Sequence, residues 1–196
     1  SGHWTPLLSV PKHLNISQNN PIVIKPYIKS RDDLNVKWKG NISAVERLTI
    51  DINWRGNRED ASKQSRNIPT HCFRKIVTSS DCHFVCLQRG AIQQEIEQVI
   101  PAWEMNAQQS EITQISDSDY PEDFLEYAAI VANCDLVITT GSTVAHLAAG
   151  TGIPTWVLLP KVPDWRWGLE GDTSFWYPSM RLFRQHESGN WNEVIG

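Results

Sequence analysis

From about residue 46 onward, short apolar runs of strand length alternate with helix-length segments five or six times. No other feature restricts the fold as much. The fourth run, Asp135-Leu136-Val137-Ile138-Thr139, is almost wholly apolar, as strands buried on both faces of a parallel sheet tend to be. Strands are also expected at Leu48 to Trp54, His83 to Leu87, Glu111 to Ile115, Thr155 to Leu159 and Met180 to Phe183. Helices are expected from Pro69 to about Ser79, around Ile92, Ile96 and Val99, from Pro121 through Ala132, and from Ser142 to Gly150. A short last helix begins near Asn190. Strand and helix in strict alternation build an α/β domain, a Rossmann-like doubly wound parallel sheet over residues 46–196. Right-handed crossovers then leave few topologies open.

The first 45 residues read differently. Pro6, Pro11, Pro21 and Pro26 interrupt them, periodicity is weak, and only Pro21 to Lys25 has the pattern of a short strand. Residues 1–45 are therefore expected to form an extended arm or linker that leans on another body.

Composition narrows the function classes. An apolar fraction of 40% with 20% charged residues belongs to a globular chain. The net charge of −4 supplies no basic field for nucleic acid or an anionic membrane. No apolar run approaches the roughly 20 residues that span a bilayer. The start, Ser1-Gly2-His3-Trp4, lacks the pattern of a secretory signal, and the cytoplasm is the expected location. Cysteines 72, 82, 86 and 134 contain no CxxC pair, and Cys86 sits inside an apolar strand. No metal is expected, and the thiols read as reduced and structural.

In a doubly wound sheet, ligands bind beyond the carboxyl ends of the strands. The loops to watch begin at Arg55, Gln88, Thr140 and Lys161. The clearest local signal is Thr139-Thr140-Gly141-Ser142-Thr143-Val144-Ala145-His146, where a buried strand meets a tight turn and a helix of small residues. Free backbone N–H groups and the positive end of a helix suit an anion such as a diphosphate there. The bland alternative is a capped helix with no ligand. A serine on such a turn could also be a hydrolase nucleophile, but that elbow needs glycines two residues to either side. Thr140 and Val144 stand there instead. The loop from Trp54 to Arg66 carries Arg55, Asn57, Lys63 and Arg66, either a phosphate clamp or a solvated surface. After the fifth strand come Asp164, Trp165, Arg166 and Trp167, either a ligand lid or a packed corner.

Several of these segments, in this order, resemble a known family. They are Trp54-Arg55-Gly56-Asn57, Ser65-Arg66-Asn67-Ile68-Pro69, Phe84-Val85-Cys86-Leu87-Gln88 and Cys134-Asp135-Leu136-Val137-Ile138. Ser142 through Ala148, Pro154 through Pro160, Pro163 through Trp167 and the closing run Trp176 to Gln185 continue the match. Together they resemble the C-terminal lobe of heptosyltransferase-like GT-B glycosyltransferases, in the version often fused behind tetratricopeptide repeats. The match covers roughly residues 5 to 195.

The resemblance implies two Rossmann-like lobes across a cleft, with this lobe holding a nucleotide-sugar donor and no metal or other cofactor. Helix N-termini and basic side chains would neutralise the diphosphate leaving group. Gly141, Ser142, Thr143 and Val144 would form the phosphate-facing turn, with Arg66 as a phosphate-binding cation and Arg55 and Asn57 in the same loop. Gln88 would border the base and ribose, His146 would support the turn, and Asp164 and Trp165 would edge the sugar. The family usually carries an acidic residue where Gly141 stands, and the acceptor lobe, which usually supplies the general base, is not in these 196 residues. The implied partners are a nucleotide-sugar and that N-terminal lobe, with tetratricopeptide repeats as a further possibility in the parent. Two alternatives are a non-catalytic binding module of the same shape and a GT-B-shaped nucleotide-sugar epimerase.

Overall fold

A computed structural model of the chain describes residues 4–17, 19–22, 25–42, 47–56, 66–78, 81–88, 93–99, 111–115 and 123–195. Six parallel strands form one sheet: β1 (Thr49–Asn53), β2 (His83–Cys86), β3 (Glu111–Gln114), β4 (Leu136–Thr140), β5 (Thr155–Leu159) and β6 (Met180–Arg184). Their spatial order is β3-β2-β1-β4-β5-β6, the doubly wound arrangement. Each pairs in parallel with its neighbour, as in Asn53 opposite Thr139 and Leu159 opposite Arg184. The expected strand positions hold to within one or two residues.

The helices are α1 (Val10–His13), α2 (Asp32–Ile42), α3 (Thr70–Thr78), α4 (Gln93–Val99), α5 (Phe124–Ala132), α6 (Thr143–Thr151) and α7 (Asn192–Ile195). Alternation along the strands sends side chains to opposite faces. Ile50, Ile52, Phe84, Cys86 and Ile138 pack with Phe73 and Val77 of α3, Ile96 and Val99 of α4, and Trp191. Val85, Leu87 and Val137 pack on the other face with Trp38 and Ile42 of α2, Ala129 to Val131 of α5 and Ala148 of α6. Cys72, Cys86 and Cys134 are free and buried, and burial pushes the Cys86 thiol up to about 12. No helix among the described residues is long and apolar enough to cross a membrane.

Three expectations need correction. The helix expected from Pro121 starts at Phe124, because the Asp123 carboxylate caps it by accepting from the N–H groups of Leu125 and Glu126, each at 2.9 Å. Pro121 lies outside the described residues. Pro21, Ile22 and Lys25 belong to no strand, and residues 23 and 24 lie outside the described residues. The arm expected as extended over residues 1–45 contains α2, which buries Trp38 and Ile42 against the sheet domain. Lys37 pairs with Glu126 of α5 at 2.7 Å, and Asn133 Nδ2 donates to the Asn35 carbonyl at 3.2 Å. Leu34, Trp38 and Ile42 recur at spacing four, but the charged residues and Gly40 between them dilute the helical pattern.

One buried group is unusual. Asp51, in the central strand, is fully buried; its Oδ1 accepts from the Leu87 N–H at 3.3 Å, and Oδ2 meets no partner among the described residues. Burial raises its carboxyl from 3.8 to about 8, against the smaller opposing pull of that Leu87 hydrogen bond. The folded protein thus holds the proton more tightly than the unfolded chain does. The resulting stability is complete below about pH 3.8 and is lost as the pH rises toward 8. The denaturant midpoint is therefore expected to fall across that window. In Asp51→Asn, which keeps the Oδ1 acceptor, the decline should flatten; an unchanged slope would show that Asp51 does not titrate there.

Candidate functional site

The strand order reverses between β1 and β4, so the chains leaving these two strands diverge and open a crevice at their carboxyl ends. β4 ends at Thr140, Gly141 and Ser142 make the turn, and α6 begins at Thr143. Ser142 holds an extended N-cap conformation, but its hydroxyl does not cap the helix. It lies 3.2 Å from the Thr139 hydroxyl instead, while the Ser142 N–H donates to the Thr140 carbonyl at 2.6 Å. The first-turn amides of α6 thus receive no side-chain cap, and the positive end of the helix is left to the crevice. Thr143 is exposed, and Val144 is half-buried and packs inward.

The loop after β1 meets the loop after β5 through charge. Asp164 pairs with Arg66 at 3.4 Å and with Arg166 at 2.7 Å, and it also accepts from the Arg166 N–H at 3.1 Å. Burial alone would raise its carboxyl, but the Arg166 backbone and guanidinium and the Arg66 charge hold it below the ordinary carboxylate range. One carboxylate thus gathers two guanidinium groups, leaving a net positive cluster. Arg166 also lies 5.0 Å from the ring centroid of the half-exposed Trp165, which meets Trp176 edge-on.

Beneath this cluster, Trp167 stacks on His146 with centroids 4.9 Å apart and 18° between the planes. His146 Nδ1 lies 3.0 Å from the Tyr177 hydroxyl. Burial and the nearby Arg166 lower the imidazole below its ordinary range, against the opposing pull of Asp164, and so favour the neutral ring. The Tyr177 hydroxyl is pushed up by burial and by its hydrogen bond to Tyr27 of the arm. The 165–171 loop is itself held by Arg184 of β6, whose guanidinium donates to the carbonyls of Trp167, Gly168, Glu170 and Gly171 at 2.5–3.3 Å.

Of the eleven residues singled out from the sequence, eight lie in this crevice or the network behind it: Arg66, Gly141, Ser142, Thr143, Val144, His146, Asp164 and Trp165. Arg55 and Gln88 are placed differently. Both are buried: the Arg55 N–H donates to Gln88 Oε1 at 2.9 Å, and the Arg55 guanidinium pairs with Glu95 at 3.1 Å. They brace the β1 and β2 loops against α4. Asn57 lies outside the described residues. Trp167 stands in the sequence with Asp164, Trp165 and Arg166 as either a ligand lid or a packed corner, whereas Tyr177 and Arg184 fall only within the closing run Trp176 to Gln185 and carry no site signal of their own. Among the described residues no group of three or more His, Cys, Asp or Glu side chains is placed to hold a metal ion.

No family model matches the sequence. The chain is 28% identical to Protein FlbA of Caulobacter vibrioides over 147 residues, which is 75% of this chain and 24% of FlbA. Its fold matches the E. coli ADP-heptose LPS heptosyltransferase II with a TM-score of 0.61 at 13% identity, covering 93% of this chain and 51% of that one. It also matches a glycosyl transferase family 9 structure from Veillonella parvula, with a TM-score of 0.57 at 11% identity and coverage of 96% and 51%. The chain thus has the fold of one lobe of these glycosyltransferases and spans about half of their length.

Gly141 marks a steric limit of the turn. A Cβ at this position would lie 2.7 Å from Trp167 Nε1 and 3.4 Å from Leu159 Cδ2. Gly141→Asp is therefore expected to push the indole off His146 and cost about 1–3 kcal/mol, the range for overpacking a closed site. Denaturant unfolding with tryptophan fluorescence checks this; native-like stability and emission would show that the turn has room for a side chain.

Proposed function

We propose that the chain is the nucleotide-sugar-binding lobe of a metal-independent glycosyltransferase, and that the diphosphate of the donor sits at the Gly141–Val144 turn. The observation that carries this reading is the uncapped N-terminus of α6 at the switch point, with Arg66 and Arg166 gathered beside it by Asp164. A diphosphate leaving group needs its developing charge neutralised, and preorganised amides and guanidinium groups do this without reorganisation during the reaction. The likeness in fold to the heptosyltransferase and the family 9 structure supports the same reading.

Transfer requires an acceptor and a group to deprotonate it. The heptosyltransferase extends over about twice the length matched here, and we assign those functions to a second lobe in the full parent protein, with tetratricopeptide repeats as a further partner. General-base catalysis contributes about 10²–10⁴-fold, so the 196-residue chain alone is proposed to bind donor without transferring sugar. A second reading, a binding module without turnover, is favoured by Gly141, where Trp167 fills the space a side chain would take.

Calorimetry with a panel of nucleoside diphosphates and their sugars tests the reading. At least one should bind, and Arg66→Ala should weaken it by about 1.5–3 kcal/mol, the worth of a hydrogen bond to a charged group. Absence of binding across the panel would refute the assignment. Sugar transfer by the chain alone would show an acceptor site and a base that lie elsewhere in it.

A further inference from the structure

Trp167 is only 4% exposed and its indole Nε1 makes no hydrogen bond among the described residues, but unlike Nε1 of Trp38 and Trp54 this N–H edge is not sealed from solvent. The neighbouring Trp176 shows the usual solution, donating from Nε1 to the Arg166 carbonyl at 2.9 Å. Trp38 and Trp54 also leave Nε1 without a partner, but they belong to the two main core clusters. Trp167 differs in where its polar edge lies. Nε1 and Cδ1 sit 2.7 and 3.4 Å from the position of a Cβ on Gly141, so the N–H edge abuts the turn that opens α6. The ring is fixed there by its stack on His146 and by the Arg184 bond to its carbonyl.

Several described groups nearby are also donors. The α6 amides lack a side-chain cap, and Arg66 and Arg166 flank the crevice. The carboxylate in the cluster, Asp164, is already shared between those two arginines. We infer that the Trp167 Nε1–H donates a hydrogen bond to an oxyanion of the ligand bound at the Gly141–Thr143 turn, making Trp167 a ligand-binding residue. This rests on the proposal of an anionic ligand at that turn and adds the group that fixes its orientation. Two oxyanions could fill the role: a phosphate oxygen of the donor, or a carboxylate on the sugar it carries.

Trp167→Phe removes the N–H while keeping an aromatic ring on His146. Wild-type and variant chains are titrated by calorimetry with inorganic pyrophosphate, nucleoside diphosphates, a neutral nucleotide-sugar such as UDP-glucose, and its carboxylated counterpart UDP-glucuronate. The variant should bind at least one probe roughly 10-fold more weakly, as expected for a hydrogen bond to a charged group. Weakening with pyrophosphate and nucleoside diphosphates assigns the oxyanion to phosphate; weakening with UDP-glucuronate alone assigns it to the sugar carboxylate. In the wild type, the Trp167 indole ¹H resonance should move downfield on titration with the same probe, as expected when its N–H gains a charged acceptor, a signal that does not depend on the variant folding. An unmoved resonance together with equal affinities in both chains would overturn the inference while leaving the nucleotide site intact. Binding of pyrophosphate but no nucleotide, with the variant weakened, would overturn the nucleotide-sugar reading and keep the inference. Failure of every probe to bind the wild type would overturn both.

Discussion

The pairing of β1 with β4 is the constraint on which the rest of this structure depends. These two strands sit side by side at the centre of the sheet, with Asn53 opposite Thr139, although 82 residues of chain separate Asn53 from Leu136. β2 and β3 lie on one side and β5 and β6 on the other, so the chains leaving β1 and β4 must turn to opposite faces. A crevice follows from topology alone. Which side chains border it is then decided by register: the strand that ends at Thr140 delivers Gly141, and the chain leaving β1 returns at Arg66. Ile52 and Ile138, opposite one another and fully buried, hold that register because a one-residue slip of either strand would send its isoleucine to the other face.

Much of this fold was legible because strands buried on both faces are written as near-continuous apolar runs. Leu136 to Thr140 reads this way, Thr155 to Leu159 does so with only Trp156 exposed, and the glycine that closes α6, Gly152, takes the left-handed conformation that its place after the helix demands, with φ of 86°. The helix within the arm was less legible for an equally physical reason. α2 is stabilised by tertiary contact, through Trp38 and Ile42 and the Lys37–Glu126 pair, so its own sequence carries only a faint stripe.

The site divides in the same way. Residues whose role follows from backbone geometry, Gly141 to Val144, can be located from the strand-turn-helix pattern. Residues whose role depends on a partner cannot. Arg55 and Gln88 look like ligand contacts because they follow strands, yet each is engaged with a neighbouring loop, and Glu95 on α4 completes that group. Arg66 and Asp164 are separated by 98 positions, and no local pattern announces that one carboxylate gathers guanidinium groups from two loops. Charged residues in adjacent loops have many possible partners, and only the three-dimensional arrangement selects among them.

Helix α6 is held at both ends, and this links the arm to the turn. At its C-terminus, the N–H groups of Tyr27 and Ile28 donate to the Gly150 carbonyl at 2.9 and 3.0 Å, satisfying an acceptor that the helix cannot satisfy itself. The approach is possible because Gly150 and Gly152 lack side chains: a Cβ on either would fall 2.6 Å from Ile28 or 2.5 Å from Pro26. At the other end, Trp167 closes on Gly141 in the same manner, glycine against a bulky neighbour. Tyr27 also reaches the Tyr177 hydroxyl, which contacts His146, on which Trp167 stacks. The arm therefore borders this region, with Tyr27 and Ile28 beside Thr143 and His146 and with Leu8 and Ile16 beside Trp165 and Trp176, and it helps to fix the helix whose first amides line the crevice. A helix terminus can stabilise charge in advance only if it cannot drift, since an anion gains little from amides that must first be brought into place. The proline-rich start, which as sequence reads as a connector, thus belongs to the positioning of the turn.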